Sequence, residues 1–189
     1  MIPPNILLGA YSIGYFPMGE SDGVISWHSP DPRAIIPLDA VRIPRSTRRL
    51  IRERLFRMEI DTCFEKVIDG CAEREETWIN EEIKESYLRL HELGYAHSIE
   101  SFDSDGLAGG LYGVALGSAF FGESMFNHRS GASKVALTFL VDHLNERGYT
   151  LLDTQYITPH LQMFGAVEIP RKKYVELLRT ALEVSRCFV

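Results

Sequence analysis

Two segments of this 189-residue chain place polar side chains among large apolar ones. Residues 120–126 read Phe-Phe-Gly-Glu-Ser-Met-Phe, and residues 153–155 read Asp-Thr-Gln. Burying a polar group without a partner is costly, so this pattern indicates a bound ligand. We expect Glu123 at the end of a strand, where sheets present ligands, and Asp153 and Gln155 on one strand face, about 7 Å apart. The two segments are therefore predicted to form the walls of one site.

The pair of Asp153 and Gln155 suggests chemistry on an amine. An aspartate that orients a glutamine amide would leave the amide oxygen to accept a proton from an incoming amine. A chain's α-amino group has a pKa of about 7.7 to 8.0, so positioning and modest desolvation suffice to deprotonate it. The alternative is structural: Asp153 caps a helix or loop, and Gln155 satisfies backbone groups. Ser124 would serve as a nucleophile only with a base and an oxyanion hole, and the sequence identifies neither.

The composition limits the class of protein. The net charge is -6 and 45% of residues are hydrophobic, which suits one sizeable globular domain, with or without a small appendage. The three cysteines and six histidines show no metal-binding spacing, and no GxGxxG or P-loop motif is present, so we expect neither metal nor cofactor. The apolar residues 6–16 are too few to span a bilayer, and we expect a cytoplasmic protein.

Arginines are concentrated between residues 42 and 57, where Glu53 is the only acid, while acids gather between residues 73 and 85. Local positive charge can hold phosphates even in an acidic protein, because screening limits interactions to about 8 Å. A solvated helix face is an equally open interpretation. The candidate phosphate contacts are Arg42, Arg45, Arg48, Arg49 and Arg52.

Apolar residues on the elements beside the two polar segments could form a pocket for a side chain of the size of Leu or Phe. They are Leu111, Phe120, Met125, Leu137, Leu144 and Leu152. Periodic leucines on a helix are more often core. Trp27 and Trp78, the only tryptophans, lie in polar surroundings, where they could stack on a nucleic-acid base or be half-buried structural residues.

The periodicity predicts an α+β (mixed α/β) domain with a mixed central sheet. Residues 14–37 are expected to form ordered loops and short strands. Helices are predicted at residues 2–13, after Pro44, and at 64–74, 81–93, 134–147 and 171–184. Strands are predicted at residues 95–101, 107–122 and 149–155, the second as one long strand.

The chain resembles the leucyl/phenylalanyl-tRNA-protein transferase family over almost its whole length. It departs from the family pattern at Met18, where a tryptophan often follows Phe-Pro, and at Thr154, where a cysteine is frequent. Its N-terminus is also short for the family. The motifs that carry the resemblance are residues 15–17, 27–33, 77–79, 91–100, 109–114, 120–126, 132–134, 153–155 and 161–171.

The resemblance implies a small N-terminal domain (residues 1–42) and a GNAT-like acyltransferase domain (residues 43–189). It implies transfer of Leu or Phe, less often Met, from aminoacyl-tRNA to an N-terminal Arg or Lys of a protein, which creates an N-end-rule degradation signal. Neither metal nor coenzyme is implied. Trp27 and Trp78 would hold the terminal adenine, the six apolar residues above would line the aminoacyl pocket, and Glu123, Asp153 and Gln155 would hold the reacting groups.

Two other functions are open. A coenzyme-A-dependent N-acyltransferase of the same fold would need a glycine-rich loop before a helix, and residues 127–134 contain only Gly131. A non-enzymatic RNA-binding module would use the tryptophans and arginines but would leave Glu123, Asp153 and Gln155 without a purpose.

Overall fold

The computed structural model describes residues 1–20, 23–73 and 77–189. Within these ranges the helices are α1 (Pro4–Ser12), α2 (Arg45–Arg52), α3 (Phe64–Ala72), α4 (Glu81–Glu92), α5 (Ala132–Glu146), α6 (Pro159–Gln162) and α7 (Arg171–Leu182). The strands are β1 (Phe16–Gly19), β2 (Ile25–His28), β3 (Arg33–Ile36), β4 (Arg57–Ile60), β5 (Ala96–Asp103), β6 (Gly106–Leu116), β7 (Ala119–Asn127), β8 (Leu151–Gln155) and β9 (Val167–Ile169).

Seven strands form one mixed sheet in the order β4-β5-β6-β7-β8-β3-β9, and β1 pairs with β2 in a separate hairpin. Neighbouring strands of the large sheet are antiparallel except β7 and β8, which are parallel and are connected through α5. A parallel pair needs such a crossover, because its second strand must start at the same end of the sheet as the first. The predicted α+β class with a mixed sheet is confirmed.

The two faces of the sheet bury different clusters. Phe120 packs with the apolar residues of α5 on one face, whereas the next residue, Phe121, packs with α1, α4 and α7 on the other. Consecutive strand residues point to opposite faces, so this adjacent pair of phenylalanines supplies both cores.

Most predicted helices are confirmed, with ends that differ by a few residues. The clearest case is α4, where the Asn80 side chain accepts a hydrogen bond from the Ile83 N–H, as an N-cap should. Helix α2 starts directly after Pro44. The helix predicted for residues 64–74 is α3, which ends at Ala72. Its predicted end at Arg74, and the acids Glu75 and Glu76, lie outside the described residues.

The prediction of one long strand over residues 107–122 is wrong. The chain turns at Gly117, which has a φ of +64°, so this stretch is the hairpin of β6 and β7. A Cβ on Gly117 would lie only 2.7 Å from the Ala181 carbonyl oxygen, which explains the glycine at this turn. Glu123 consequently lies inside β7, which continues to Asn127, and not at a strand end.

The short elements β4, α6 and β9 were not predicted. The division into residues 1–42 and 43–189 stays a prediction; strand β3, which precedes that boundary, is hydrogen-bonded between β8 and β9 in the large sheet. Among the described residues, no helix has the length and apolar character needed to cross a membrane.

Replacing Gly113 by Ala is expected to lower the free energy of unfolding by about 1–3 kcal/mol, the usual cost of overpacking a core. The added Cβ would clash with the Phe121 carbonyl oxygen and lie 2.5 Å from the Phe120 ring. Urea unfolding measures the effect. Gly9→Ala in α1 is the control, because no described atom outside its chain neighbours and the backbone of its own helix lies within 4 Å of its Cβ position, and it should stabilise by up to about 1 kcal/mol. An unchanged urea midpoint for Gly113→Ala would contradict this packing.

Candidate active site

Glu123 is the extra residue of a β-bulge. Tyr112 lies opposite Ser124 and Gly113 lies opposite Gly122, so Glu123 has no partner of its own on β6. A bulge shifts the alternation of side chains by one residue. It therefore lets Phe120 and Met125, five positions apart, contact the same apolar cluster, while Glu123 points toward Tyr11 and Tyr87 on the other face.

A second irregularity lies beside the first, on β8. Ala34 pairs with Gln155 and Ile35 with Asp153, which leaves Thr154 as the extra residue, and Gln155 has a φ of +63°. The parallel pairing of β7 with β8 ends nearby, at Phe121 opposite Asp153. Beyond this point, residues of both strands line a cavity of about 430 Å³. The two bulges thus mark the place where the sheet opens.

The carboxylate of Glu123 has three hydrogen-bond partners. Tyr11 Oη lies 2.6 Å from Oε1, Tyr87 Oη lies 3.0 Å from Oε2, and Gln155 Nε2 donates to Oε1 at 3.0 Å. The two tyrosine hydroxyl oxygens also lie 2.5 Å from each other, so their two protons serve three contacts. Burial nevertheless raises the pKa of Glu123 to about 7, since these bonds offset only part of the desolvation and the charge of Asp153 adds to it. Burial also raises the pKa of both tyrosines, so each remains a donor at neutral pH.

Asp153 is fully buried and lies behind the cavity. Arg33 Nε donates to Oδ1 at 2.9 Å and Arg33 Nη2 donates to Oδ2 at 2.6 Å. Tyr174 Oη donates to Oδ2 at 2.7 Å, and the backbone N–H of Gln155 donates to Oδ1 at 2.9 Å. The expected contact of Asp153 with the Gln155 side chain is therefore corrected: Asp153 holds the Gln155 backbone, and Glu123 orients the Gln155 amide. The left-handed backbone of Gln155 breaks the strand alternation on which the expectation rested.

The cavity has an apolar wall that includes four of the six predicted pocket residues, Leu111, Met125, Leu137 and Leu152. Leu140 and Leu161, which the sequence interpretation missed, extend this wall. The other two predicted residues, Phe120 and Leu144, are fully buried in the same apolar cluster and do not line the cavity.

The two tryptophans are placed differently. Trp78 lines the cavity, together with Met18 and Tyr156. Trp27 is 39% exposed on β2, opposite Pro17 of β1, and is not part of the cavity lining.

Three residues that line the cavity each carry a buried polar atom without a hydrogen-bond partner among the described residues. These atoms are Ser133 Oγ, Thr154 Oγ1 and His160 Nε2. Burial, with the charge of Lys134, lowers the pKa of His160, which favours the neutral ring. Unpaired buried polar groups are rare, so their grouping around one cavity indicates that a ligand or water completes them.

The candidate phosphate-binding arginines are exposed, and four of them lie on α2. Arg45, Arg48, Arg49 and Arg52 surround one surface groove. Arg42 precedes the helix, and its backbone N–H donates to the Phe164 carbonyl oxygen. In the described part of the chain, no group of three His, Cys, Asp or Glu side chains is arranged to hold a metal ion.

The site residues that the sequence interpretation missed are Tyr11, Tyr87, Arg33 and Tyr174. Arg33 is the last residue of the motif at residues 27–33, but nothing in the sequence indicated its partner Asp153, which lies 120 residues further along the chain. The three tyrosines sit on apolar helix faces, a pattern that ordinary core residues share.

Comparison with known proteins places the chain in a family. A model described as leucyl/phenylalanyl-tRNA protein transferase N-terminal domain matches residues 1–31, and one described as leucyl/phenylalanyl-tRNA protein transferase matches residues 35–179. Relatives named leucyl/phenylalanyl-tRNA–protein transferase occur in Salinibacter ruber (52% identity; 97% of this chain, 82% of the relative) and Rubrobacter xylanophilus (50% identity; 99% and 98%). Another, from Cereibacter sphaeroides, is 51% identical over 99% of this chain and 88% of the relative.

A mixed sheet that opens beside a buried carboxylate and amide, with matches of this extent to transferases, defines an enzyme of the transferase class. The chain belongs to the leucyl/phenylalanyl-tRNA protein transferase family.

Solved structures that resemble the chain include L-PGS from Bacillus licheniformis, with a TM-score of 0.47, 15% identity, and coverage of 68% of this chain and 47% of that one. An aminoglycoside acetyltransferase from an uncultured soil metagenomic sample has a TM-score of 0.44, 15% identity, and coverage of 56% and 80%. The GNAT-like description of the second domain stays a prediction.

Glu123→Gln should remove the part of the pH dependence of the free energy of unfolding that arises from the Glu123 carboxyl group. Because the pKa of Glu123 rises from 4.5 to about 7 on folding, its contribution is fully present below pH 4.5 and is lost as the pH rises toward 7. The free energy of unfolding of the unaltered protein should therefore fall by about 2–3 kcal/mol between pH 5 and pH 8, and that of the Gln variant should not show this fall.

Urea unfolding of both proteins at the two pH values measures this difference. Glu92→Gln, at an exposed position of α4, is the matched control and should leave the pH dependence unchanged. Parallel pH curves for the unaltered protein and Glu123→Gln would show that the carboxyl group titrates normally.

Proposed function

We propose that the protein transfers Leu or Phe, less often Met, from aminoacyl-tRNA to the α-amino group of an N-terminal Arg or Lys of acceptor proteins. Family membership supports the reaction class. The observation that carries the proposal is the apolar cavity that ends at the Glu123–Gln155 pair. The new peptide bond would create an N-end-rule degradation signal, and the tRNA substrate places the reaction in the cytoplasm.

The aminoacyl ester is already activated, so the protein has to orient the amine about 3–3.5 Å from the ester carbonyl carbon. The amine nitrogen forms the new bond to this carbon, the ester C–O bond breaks, and the tRNA 3′ oxygen leaves as a hydroxyl. Glu123, with a pKa of about 7, is matched to accept a proton from an α-ammonium group.

Gln155 complements Glu123 in this mechanism. Its Nε2 donates to Glu123, and its carbonyl oxygen has no donor among the described residues. This oxygen is therefore available to accept a hydrogen bond from the amine and to aim its lone pair. A base role for Gln155 is not required, because an amide is a weak base. We propose that Glu123 and Gln155 touch the reacting groups and that Asp153 positions them.

The rest of the donor fits the remaining walls. The Leu or Phe side chain would contact the apolar wall, and Trp78 offers a surface for the terminal adenine, with Trp27 proposed as its partner. Ser133, Thr154 and His160 line the same cavity, so their polar side chains would lie beside the hydroxyl and ester oxygens of the donor.

The start of α5 argues against a coenzyme-A donor. The N–H of Ser133 already donates to Asn127 Oδ1 at 2.8 Å, and the N–H of Ala132 donates to the Arg129 carbonyl oxygen. A pyrophosphate site at a helix start needs these N–H groups free.

The proposal is tested by transfer of radiolabelled leucine from Leu-tRNA to a peptide with N-terminal Arg. The same peptide with N-terminal Ala, and acetyl-coenzyme A as an alternative donor, are the comparisons. We expect label on the Arg peptide only. Acetyl transfer without leucyl transfer would show that the donor is acetyl-coenzyme A and not aminoacyl-tRNA. Equal affinity for charged and uncharged tRNA, without transfer, would indicate an RNA-binding module.

Arg48→Ala should reduce the salt dependence of tRNA binding if Arg48 on α2 contacts a phosphate. Each lost contact lowers the slope of log K against log salt by about 0.7–0.9. Filter binding between 50 and 300 mM salt measures the slope. Arg89→Ala is the control, because Arg89 is exposed on α4 and pairs with Glu92. Equal slopes for the unaltered protein and Arg48→Ala would leave α2 as a solvated face.

A further inference from the structure

Arg33 is a buried cation that the proposed mechanism does not use. It is only 1% exposed, it is not part of the cavity lining, and its guanidinium forms a two-point pair with Asp153. Its third nitrogen, Nη1, donates to the Gly14 carbonyl oxygen at 3.0 Å. The guanidinium carbon lies 4.8 Å from the centre of the Phe16 ring and 4.5 Å from that of Tyr174. All three guanidinium nitrogens of Arg33 thus have a hydrogen-bond acceptor, and two aromatic rings pack near its central carbon.

Asp153 connects Arg33 to Gln155 through hydrogen bonds. Asp153 Oδ1 accepts hydrogen bonds both from Arg33 Nε and from the backbone N–H of Gln155. Gln155 has a left-handed φ of +63°, a conformation that costs a residue with a side chain about 1–3 kcal/mol. The backbone therefore keeps this conformation only while its surroundings hold it, and the carboxylate of Asp153, which accepts from the Gln155 N–H, is the side-chain group that does so.

The position of the Gln155 amide follows from this backbone conformation. From its left-handed backbone, Gln155 places Nε2 3.0 Å from Glu123 Oε1 and lines the cavity. A return to the extended conformation would turn the side chain away from Glu123, because strand residues alternate between faces.

We propose that Arg33 is a positioning residue for the transfer reaction: by clamping Asp153 it fixes the left-handed backbone of Gln155, and with it the amide that meets Glu123 and the attacking amine. This inference rests on the function proposed above. It requires the planar, forked guanidinium and not merely a positive charge, because a lysine ammonium cannot donate in parallel to both carboxylate oxygens and also reach Gly14.

Arg33→Lys tests the proposal because it keeps the charge and removes the fork. We expect kcat with Leu-tRNA and the Arg peptide to fall roughly 10- to 100-fold, as misplacement of a reacting group does. KM for Leu-tRNA should change less than about threefold, because the apolar wall is untouched. Steady-state kinetics gives both values. Arg89→Lys, at an exposed position of α4, is the matched control and should keep kcat unchanged.

Hydrogen exchange of the Gln155 backbone amide, followed by NMR, reports the proposed link without relying on activity. In Arg33→Lys this amide should exchange at least about tenfold faster, while amides in the middle of α5 keep their rates. Tyr174→Phe, which removes only the hydroxyl that donates to Asp153 Oδ2, should give the same pattern with a smaller loss of kcat, and it keeps the test valid if Arg33→Lys does not fold.

A kcat within twofold of that of the unaltered protein, an unchanged Gln155 exchange rate, or equally faster exchange throughout the chain would each overturn the proposal. Absence of leucyl transfer by the unaltered protein would refute the proposed function instead. The exchange measurement would still decide whether Arg33 holds Gln155.

Discussion

The fully buried Asp153 and Arg33 and the partly buried Glu123 share the space between β7, β8 and β3, and their removal from water is the constraint on which the site depends. A buried carboxylate costs several kcal/mol unless it is paired or hydrogen-bonded. Asp153 meets this requirement with a guanidinium. Glu123 has only neutral donors, two tyrosines and an amide, and burial therefore raises its pKa to about 7. The two neighbouring carboxyl groups thus differ in their partners: Asp153 has a cation, and Glu123 does not.

The sheet supports this difference by opening where its parallel pair ends. Bulges at Glu123 and Thr154 lie next to each other across β7 and β8, and bulges are a common means of redirecting side chains beside active sites. Helices on one face supply the tyrosines that bond to the carboxylates, and α5 and α6 supply leucines to the apolar wall. Hydrogen bonding and apolar recognition therefore come from opposite faces of one sheet.

The sequence predicts the features that depend on the local order of residues, whereas the site also depends on contacts between residues that are far apart in the chain. Helix α4 follows from its cap and periodicity, and the wall residues Leu137 and Leu152 follow from their elements. The turn at Gly117 was missed because apolar residues continue on both sides of it, as they would in one strand. The bulges could not be predicted, since a bulge exists only relative to the partner strand. Contacts such as Tyr11 to Glu123 join residues 112 positions apart, and no local pattern encodes them.

The count of acceptor positions distinguishes the two carboxylates. An ionised carboxylate has about four lone-pair positions, two on each oxygen. All four of Asp153 are used: Arg33 Nε and the Gln155 N–H bond to Oδ1, and Arg33 Nη2 and Tyr174 Oη bond to Oδ2. Tyr11 and Gln155 contact Oε1 of Glu123 and Tyr87 contacts Oε2, and the two tyrosine hydroxyls share their two protons with a contact to each other, which leaves at least one position on Oε2. Glu123 lines the cavity and Asp153 does not, so the open carboxylate position at the cavity belongs to Glu123. In the proposed reaction the amine would therefore bond to Glu123, and Asp153 would act by holding the backbone of Gln155.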